Sequence, residues 1–295
     1  MKFNKSVVLP LAAAFVWGMA FSAQDVCSQH LGALQTNAVR NVLAGCALIP
    51  LVLFTSKKNK GSKETSRKNL MLGSCLCGLV MCAALTLQQL GMQFGCDSGK
   101  AGFLTAMYVV LVPVLSIFLG KKASARVWLC VGVAVVALYL LSFKSDLTIG
   151  FGDVLLILNA FLFAVHILLV DHFTKTCDPV KLSCYQFFFV ALFSFVGMCI
   201  TCDFDFSGLQ NCWQQVAYLG VISSGVGFTL QIMAQKGANP TLVSLLMCLE
   251  SVFAVIGGAV FLGEVMSLRE YAGCALMFVA VIVSQLPSRS GDSIN

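Results

Sequence analysis

Residues 241–262 read TLVSLLMCLESVFAVIGGAVFL, twenty-two residues whose single charged side chain, Glu250, sits near the middle. No lysine or arginine lies within a helical turn of it. A helix needs roughly 20 mainly apolar residues to cross a hydrocarbon core. The stretch therefore reads as a transmembrane helix that carries an acid at its centre. Outward from it, further apolar runs fall at about 6–23, 35–54, 70–92, 100–119, 126–143, 152–171, 182–201, 214–234 and 268–286, which makes ten. These runs are about twice the length of barrel strands and lack their period-two alternation. Helices are then the only spanning form that satisfies every backbone group internally.

Composition agrees. The 295 residues are 58% hydrophobic and 11% charged, with a mean hydropathy of +0.89, whereas soluble domains carry about 25% charged residues. The connections are too short for a sizeable soluble domain. The net charge of +6 does not indicate a nucleic-acid partner, because the basic residues follow a topological pattern. One set of ends and loops holds Lys2, Lys5, Lys57, Lys58, Lys60, Lys63, Arg67, Lys68, Lys121, Lys122, Arg126, Lys175, Lys181, Lys236 and Arg289; the opposite set holds Lys100, Lys144 and Arg269. Positive loops stay in the cytoplasm, so both termini are expected there, in the plasma (inner) membrane. The basic segment 56–68 reads as a solvated linker near anionic headgroups. Lys2 and Lys5 ahead of an apolar stretch imitate a signal peptide, but the stretch contains Trp17-Gly18 and a similar segment recurs later, so it reads as the first span.

Most of the fourteen cysteines, among them Cys46, Cys75, Cys77, Cys82, Cys130, Cys184, Cys248 and Cys274, lie inside apolar runs and act there as small hydrophobes. Cys199 and Cys202 form a C-x-x-C without a second pair at metal-site spacing, so no metal is expected. A disulfide among Cys27, Cys96, Cys202 and Cys212 on the outer side is left open.

An internal repeat is the most informative feature. A shift of 143 residues lays Thr86-Leu87-Gln88 on Thr229-Leu230-Gln231, Phe118-Leu119-Gly120 on Phe261-Leu262-Gly263, Ser124 and Arg126 on Ser267 and Arg269, and Val136-Ala137 on Val279-Ala280. The first helices match at an offset near 146, with Phe15 on Phe161 and Arg40 on Gln186. Five spans per half is odd, so the second half enters from the opposite side. The expected fold is an all-α membrane protein of ten transmembrane helices in two inverted five-helix repeats, 1–145 and 146–288, with a tail at 289–295. Such repeats place a shared cavity near the midplane and support alternating access.

With these features in place, the chain resembles the drug/metabolite transporter superfamily, EamA-type branch. The resemblance rests on Phe261-Leu262-Gly263-Glu264, Ser267, Leu268 and Gly273 ahead of the last helix, on Trp17-Gly18, and on Arg40 near the start of the second span. Lys121 stands where the family often has Glu, and Cys130 where it often has Gly. The resemblance implies ten helices, a central cavity and alternating access. It names no substrate, since the family carries amino acids, nucleotide-type metabolites, sugars and drugs.

Polar groups inside spans are costly, about 2.5–3.5 kcal/mol for a charge at the centre on insertion scales, and each is a candidate for the cavity. Glu250 binds a cationic group, cycles a proton, or bonds a neighbouring helix. Arg40 snorkels outward or faces the cavity as a two-pronged donor for carboxylate or phosphate. His166 and Gln186, and the repeat-related Gln88 and Gln231, serve a solute or link helices. Trp17, Tyr108 and Tyr185 line a cavity or pack. Small pairs such as Ala14 and Gly18, Gly73 and Cys77, and Ala254 and Gly258 read as close helix contacts. Pro113 reads as a kink and gate element, and Pro240 as a helix start. No metalloprotease, nucleophile-elbow, Walker or dinucleotide motif is present, no cofactor is implied, and the polar residues do not gather into an acid, a base and a nucleophile. The expected function is secondary transport of a small polar metabolite (amino acid-like, nucleoside-like or drug-like), coupled to a proton or a counter-solute. The partners are that solute and the lipid bilayer, with a monomer as the simplest state. A membrane structural or signalling protein with a carrier fold is the alternative class.

Overall fold

A computed structural model of the chain describes residues 5–58, 66–96, 98–121, 123–142, 149–261 and 266–286. Several sequence features lie outside the described residues: Lys2, Lys60, Lys63, Lys122, Lys144, Arg289, the tail 289–295, and the family stretch Leu262-Gly263-Glu264. Among the described residues every regular element is helical. The helical rods are α1 (Lys5–His30), α2 (Ala33–Lys57), α3 (Arg67–Gln93), α4 (Gly99–Phe118), α5 (Ala125–Ser142), α6 (Phe151–Phe173), α7 (Pro179–Thr201), α8 (Leu209–Gln235), α9 (240–261) and α10 (Leu268–Gln285). Eight of them are long and apolar enough to cross a membrane, while α5 and α9 carry the shorter apolar stretches Ala125–Leu141 and Pro240–Ile256. The chain is a multi-pass helical membrane protein.

Each expected run lies on one rod, with two shifts at the ends. The first span continues past residue 23 to His30, and the eighth starts at Leu209 rather than 214. Hydropathy falls at Gln24, where the backbone stays helical, and at Gln210-Asn211, beside Cys212, whose φ of −131° and ψ of 18° kink the first turns of α8. Gln24 is turned inward and buried, so its amide never meets lipid. Helix starts follow ordinary capping rules. Ser124 Oγ accepts from Val127 N at 3.4 Å, and Ser267 Oγ accepts from Glu270 N at 3.3 Å while Glu270 Oε2 accepts from Ser267 N at 2.7 Å. The repeated serine is thus the N-cap of α5 and of α10. Asp178-Pro179 and Asn239-Pro240 open α7 and α9 with a side-chain cap and a proline in the first turn, where a missing N–H is harmless.

The strongest packing runs between the halves: α2 along α7, α3 along α6 and α7, α5 along α10, and α1 against α8 and α9. Glycines allow the approach. A Cβ on Gly78 of α3 would lie 2.6 Å from Phe189 Cβ and 2.9 Å from the Gln186 carbonyl of α7. One on Gly18 of α1 would lie 2.7 Å from Phe253 Cβ and 2.9 Å from Ala254 N of α9. In lipid, where water does not drive helices together, such close van der Waals contact is a main source of association. The outward faces are apolar, with Phe15, Leu53, Phe54, Leu72, Leu129, Phe195, Ile200 and Ile282 all exposed.

Contacts between helix ends join segments that the sequence reading puts on the same face. On one face Lys100 Nζ meets Asp153 Oδ2 at 2.6 Å, and Gln35 Nε2 donates to the Asp203 carbonyl at 3.2 Å. On the other, Asp171 pairs with Lys121 and, at 3.6 Å, with Lys175. The lysine at 121, unusual beside the family pattern, therefore has its own carboxylate. The cysteines are free thiols. Cys27 and Cys212 are buried together in a small apolar cluster, Cys96 Sγ donates to Asp153 Oδ1 at 2.9 Å, and Cys202 is exposed.

Replacing Gly18 by valine forces a side chain into the α9 backbone, a kind of overpacking that costs about 1–3 kcal/mol. Thermal unfolding of the purified protein in detergent is expected to shift down by several degrees for Gly18→Val. It should not shift down for Gly132→Ala, where a Cβ meets nothing within 4 Å. Equal melting of both variants would show that the α1–α9 contact is loose.

Candidate functional site

Four rods change geometry at one level. The helix of α1 is interrupted at Met19, between Lys5–Gly18 and Ala20–His30, and that of α4 at Met107, between Ser98–Ala106 and Tyr108–Phe118. Within α8 the segment Tyr218–Phe228 is π-helical. In α9 the pieces Pro240–Met247 and Leu249–Phe261 meet at Cys248. Tightened turns close the gaps, with Val110 N bonded to the Met107 carbonyl at 3.0 Å and Ser251 N to the Cys248 carbonyl at 3.3 Å. The break in α4 lies at Met107 and not at Pro113, where the sequence reading placed a kink; the helix runs on through the proline. Irregular backbone at membrane depth is tolerated only where protein or a cavity covers it, and a cavity lies here.

Six of the eight sequence candidates line that cavity: Trp17, Arg40, Gln88, Tyr108, Gln231 and Glu250. Residues beside the interruptions supply much of the lining. Around Met19, α1 presents Trp17, Phe21 and Gln24; around Met107, α4 presents Thr105 and Tyr108; around Cys248, α9 presents Met247 and Glu250; and α8 adds Ser223, Phe228 and Gln231. The breaks in α4 and α9 also touch. Cys248 Sγ donates to the Ala106 carbonyl at 3.9 Å, and two residues on Tyr108 Oη donates to Glu250 Oε1 at 3.4 Å, each pair 142 residues apart.

Aromatic rings form one wall. The Phe228 ring lies 4.6 Å from that of Trp17 and 6.3 Å from that of Phe163, nearly parallel to the latter. Trp17 Nε1 donates to the Ser223 carbonyl at 3.0 Å. Gly227 makes room for the indole, since a Cβ there would sit 2.5 Å from Nε1.

Two ionisable side chains lie in this apolar surround. Arg40 is 2% exposed; it does not snorkel. Its Nε donates to Ser224 Oγ at 3.1 Å and its Nη1 to Gln24 Oε1 at 3.5 Å. Both partners are neutral. Glu250 is 3% exposed, and among the described residues its hydrogen-bond partner is the Tyr108 hydroxyl. No ion pair among the described residues includes either group.

The two glutamines related by the repeat both line the cavity and both brace helices. Gln88 Nε2 donates to Thr105 Oγ1 at 3.2 Å, Thr105 Oγ1 to Asn159 Oδ1 at 3.0 Å, and Asn159 Nδ2 to the Ala84 carbonyl at 2.8 Å. Gln231 Nε2 donates to Gln235 Oε1 at 3.2 Å, and Gln235 Nε2 to the Ile167 carbonyl at 2.9 Å. Among the described residues Gln231 Oε1 has no hydrogen-bond partner. His166 and Gln186 are not in the lining. They sit behind Phe228 as a pair, His166 Nε2 at 3.2 Å from Gln186 Oε1, both fully buried. Tyr185 packs against the core and stays out of the cavity. The sequence reading missed Gln24, Thr105, Ser223, Ser224 and Phe228. The run Ser223-Ser224-Gly225, followed by Gly227, inside an apolar stretch was the available signal for part of this set.

The arrangement can hold a small solute by charge, hydrogen bonds and ring contact. Among the described residues no group of three or more His, Cys, Asp or Glu forms a metal site.

Comparison with known proteins places this architecture. A solved crystal structure superposes with a TM-score of 0.75 over 95% of this chain and 96% of that one, at 15% identity, which shows a shared fold. An uncharacterized transporter of Archaeoglobus fulgidus is 25% identical over 276 residues, 92% of this chain and 83% of its own length. A second uncharacterized transporter of the same organism is 24% identical over 189 residues, 64% of this chain and 67% of its own. Residues 4–143 and 150–285 each match the EamA-like transporter family. The chain belongs to that family, within the drug/metabolite transporter superfamily.

Proposed function

We propose that the chain is a secondary transporter that moves a small polar metabolite across the plasma membrane by alternating access. The observation that carries this reading is the buried cavity at the helix interruptions, with Arg40 and Glu250 both on its wall. An isolated charge at this depth is costly, so two ionisable side chains without an ion pair among the described residues point to a visiting solute or a proton as the missing partner. In this reading ten spans form two five-helix units, 1–145 and 146–288, of opposite orientation. The pairings support it: under the half-to-half correspondence α2–α7 and α5–α10 map onto themselves, and α3–α6 maps onto α8–α1. A cavity enclosed by two such units opens to either side as the units rock. Trp17, Gln88, Tyr108 and Gln231 line the path of the solute. Glu250 is the group at which a proton or a cationic part of the solute is held, and His166 with Gln186 steadies the wall behind Phe228. Both termini lie in the cytoplasm, following the distribution of basic residues.

Purified protein in proteoliposomes is expected to exchange labelled solute against an internal load. Glu250→Gln and Arg40→Gln should each lower the flux by about tenfold or more, since both remove an interaction that the bound state needs, while circular dichroism stays unchanged. Wild-type rates in both variants would take the two charges out of the transport cycle. If Glu250 carries a proton, an imposed pH gradient drives uptake in the wild type and not in Glu250→Gln.

Orientation has its own check. In intact cells, a variant retaining only Cys202, which is exposed between α7 and α8, should react with a membrane-impermeant maleimide added outside. Labelling only after lysis would reverse the proposed topology.

A further inference from the structure

We infer that Cys27 and Cys212 form a dithiol that closes to a disulfide and ties the two halves of the chain together at the outer face. The inference goes beyond transport and takes from the proposed function only its orientation. It starts from the seam between α1 and α8, which belong to different halves. Three contacts set the register of that seam. Trp17 Nε1 donates to the Ser223 carbonyl at 3.0 Å, and Tyr218 Oη to the Val16 carbonyl at 2.6 Å. Gly208 lies so close to His30 that a Cβ on it would fall 1.7 Å from the His30 carbonyl oxygen. Numbers rise along one rod as they fall along the other, so the rods are antiparallel. One helical turn in from the His30–Gly208 contact, this register sets Cys27 opposite Cys212. Hydrogen bonds mark that turn on both rods: Leu31 N donates to the Cys27 carbonyl at 2.9 Å, and Cys212 Sγ to the Gly208 carbonyl at 3.6 Å.

Both thiols are fully buried in one apolar cluster with Ala20, Leu31, Val216 and Leu219, and each has the other as a hydrogen-bonding neighbour. At ordinary helix spacing, facing Cα atoms lie roughly 5 Å apart, a separation that a disulfide spans without moving the backbone. Cys212 is also where α8 leaves helical geometry, and a kinked turn at a helix end opens at low cost. That opening gives an oxidant access to Cys212. The step is an exchange with a disulfide of the outer compartment. The Cys212 thiolate attacks one sulfur of that disulfide, and the other sulfur leaves as a thiolate. The Cys27 thiolate then attacks Cys212 in the mixed disulfide and expels the second thiolate. Two cysteine thiols become one disulfide, the oxidant is reduced to two thiols, and the protons given up by the cysteines are taken up by the thiolates released. Cys77 and Cys177 share a cluster toward the opposite face, where a cytoplasmic pool keeps thiols reduced.

The test treats intact cells that express the full-length protein with oxidised glutathione from outside, a disulfide that does not cross membranes, and treats purified protein in detergent in the same way. Free thiols are then blocked with N-ethylmaleimide in denaturant, and peptides are mapped without reductant. Cys27 is expected to be linked to Cys212 in both preparations, with Cys77 and Cys177 alkylated in the cells. The link is lost in Cys27→Ser and in Cys212→Ser. In the wild type it raises the thermal unfolding midpoint by several degrees, and dithiothreitol reverses the gain. Alkylation of both cysteines in the oxidised detergent sample overturns the inference. So does a link from Cys212 to Cys202, or glutathione retained on one member of the pair as the end product. Closure in detergent without closure in cells upholds the pair and defeats the orientation that the proposed function assigns.

Discussion

The constraint on which the structure depends is that a backbone in hydrocarbon has no water to fall back on. Every amide must be bonded within its own helix or covered by protein. The long rods obey this by staying helical from one face to the other, and apart from a kink at Cys212 near the start of α8 the departures from it gather in one place. Met19, Met107, Cys248 and the π-helical segment Tyr218–Phe228 surround a single hollow. Thr105 and Tyr108 on α4, and Met247 and Glu250 on α9, flank the interruptions three residues apart, which sets each pair on one helix face toward the same space.

Charge placement follows from the same constraint. Paired acids and lysines sit at the ends of α6, where Asp153 and Asp171 tie it on opposite faces to Lys100 at the start of α4 and to Lys121 beyond its end. Ion pairs near water contribute little to stability, but they fix how two helices register. Arg40 and Glu250 lie deeper, and no ion pair among the described residues includes them. Holding them there costs free energy, and close helix packing must offset it. The contacts of Gly78 with α7, of Gly18 with α9, and of Gly91 with Gly152, where a Cβ on the latter would lie 2.6 Å from the Gly91 carbonyl, are of that kind.

Much of this was legible in the sequence, for reasons that can be named. Apolar runs mark rods because solvation in lipid acts on every residue of a span. The repeat marked Ser124 and Ser267, which both proved to be helix caps, and Gln88 and Gln231, which both reached the cavity. The isolated charges Arg40 and Glu250 stood out because nothing nearby in sequence could neutralise them. What stayed hidden depends on tertiary contact. Methionine and cysteine at the interruptions are ordinary membrane-helix residues, so no local signal marks the breaks, while Pro113 drew attention to a point where the helix continues. Gln24 looked like the end of a span because hydropathy is blind to the direction a side chain points. His166 and Gln186 looked like cavity residues for the same reason, and they bond one another behind Phe228 instead.

The cavity's two ionisable side chains are held by bonds that cross between rods. Arg40 of α2 donates to Ser224 of α8 and to Gln24 of α1, and Glu250 of α9 accepts from Tyr108 of α4. A shift of any of these rods past its neighbours changes what the two side chains meet, so the polar contacts of the cavity are tied to the packing of the helices around it. Gln186, which the sequence match lays on Arg40, bonds His166 behind Phe228 instead. The guanidinium therefore has no like-charged counterpart at the matching position, where a second one would repel it in surroundings that water screens little.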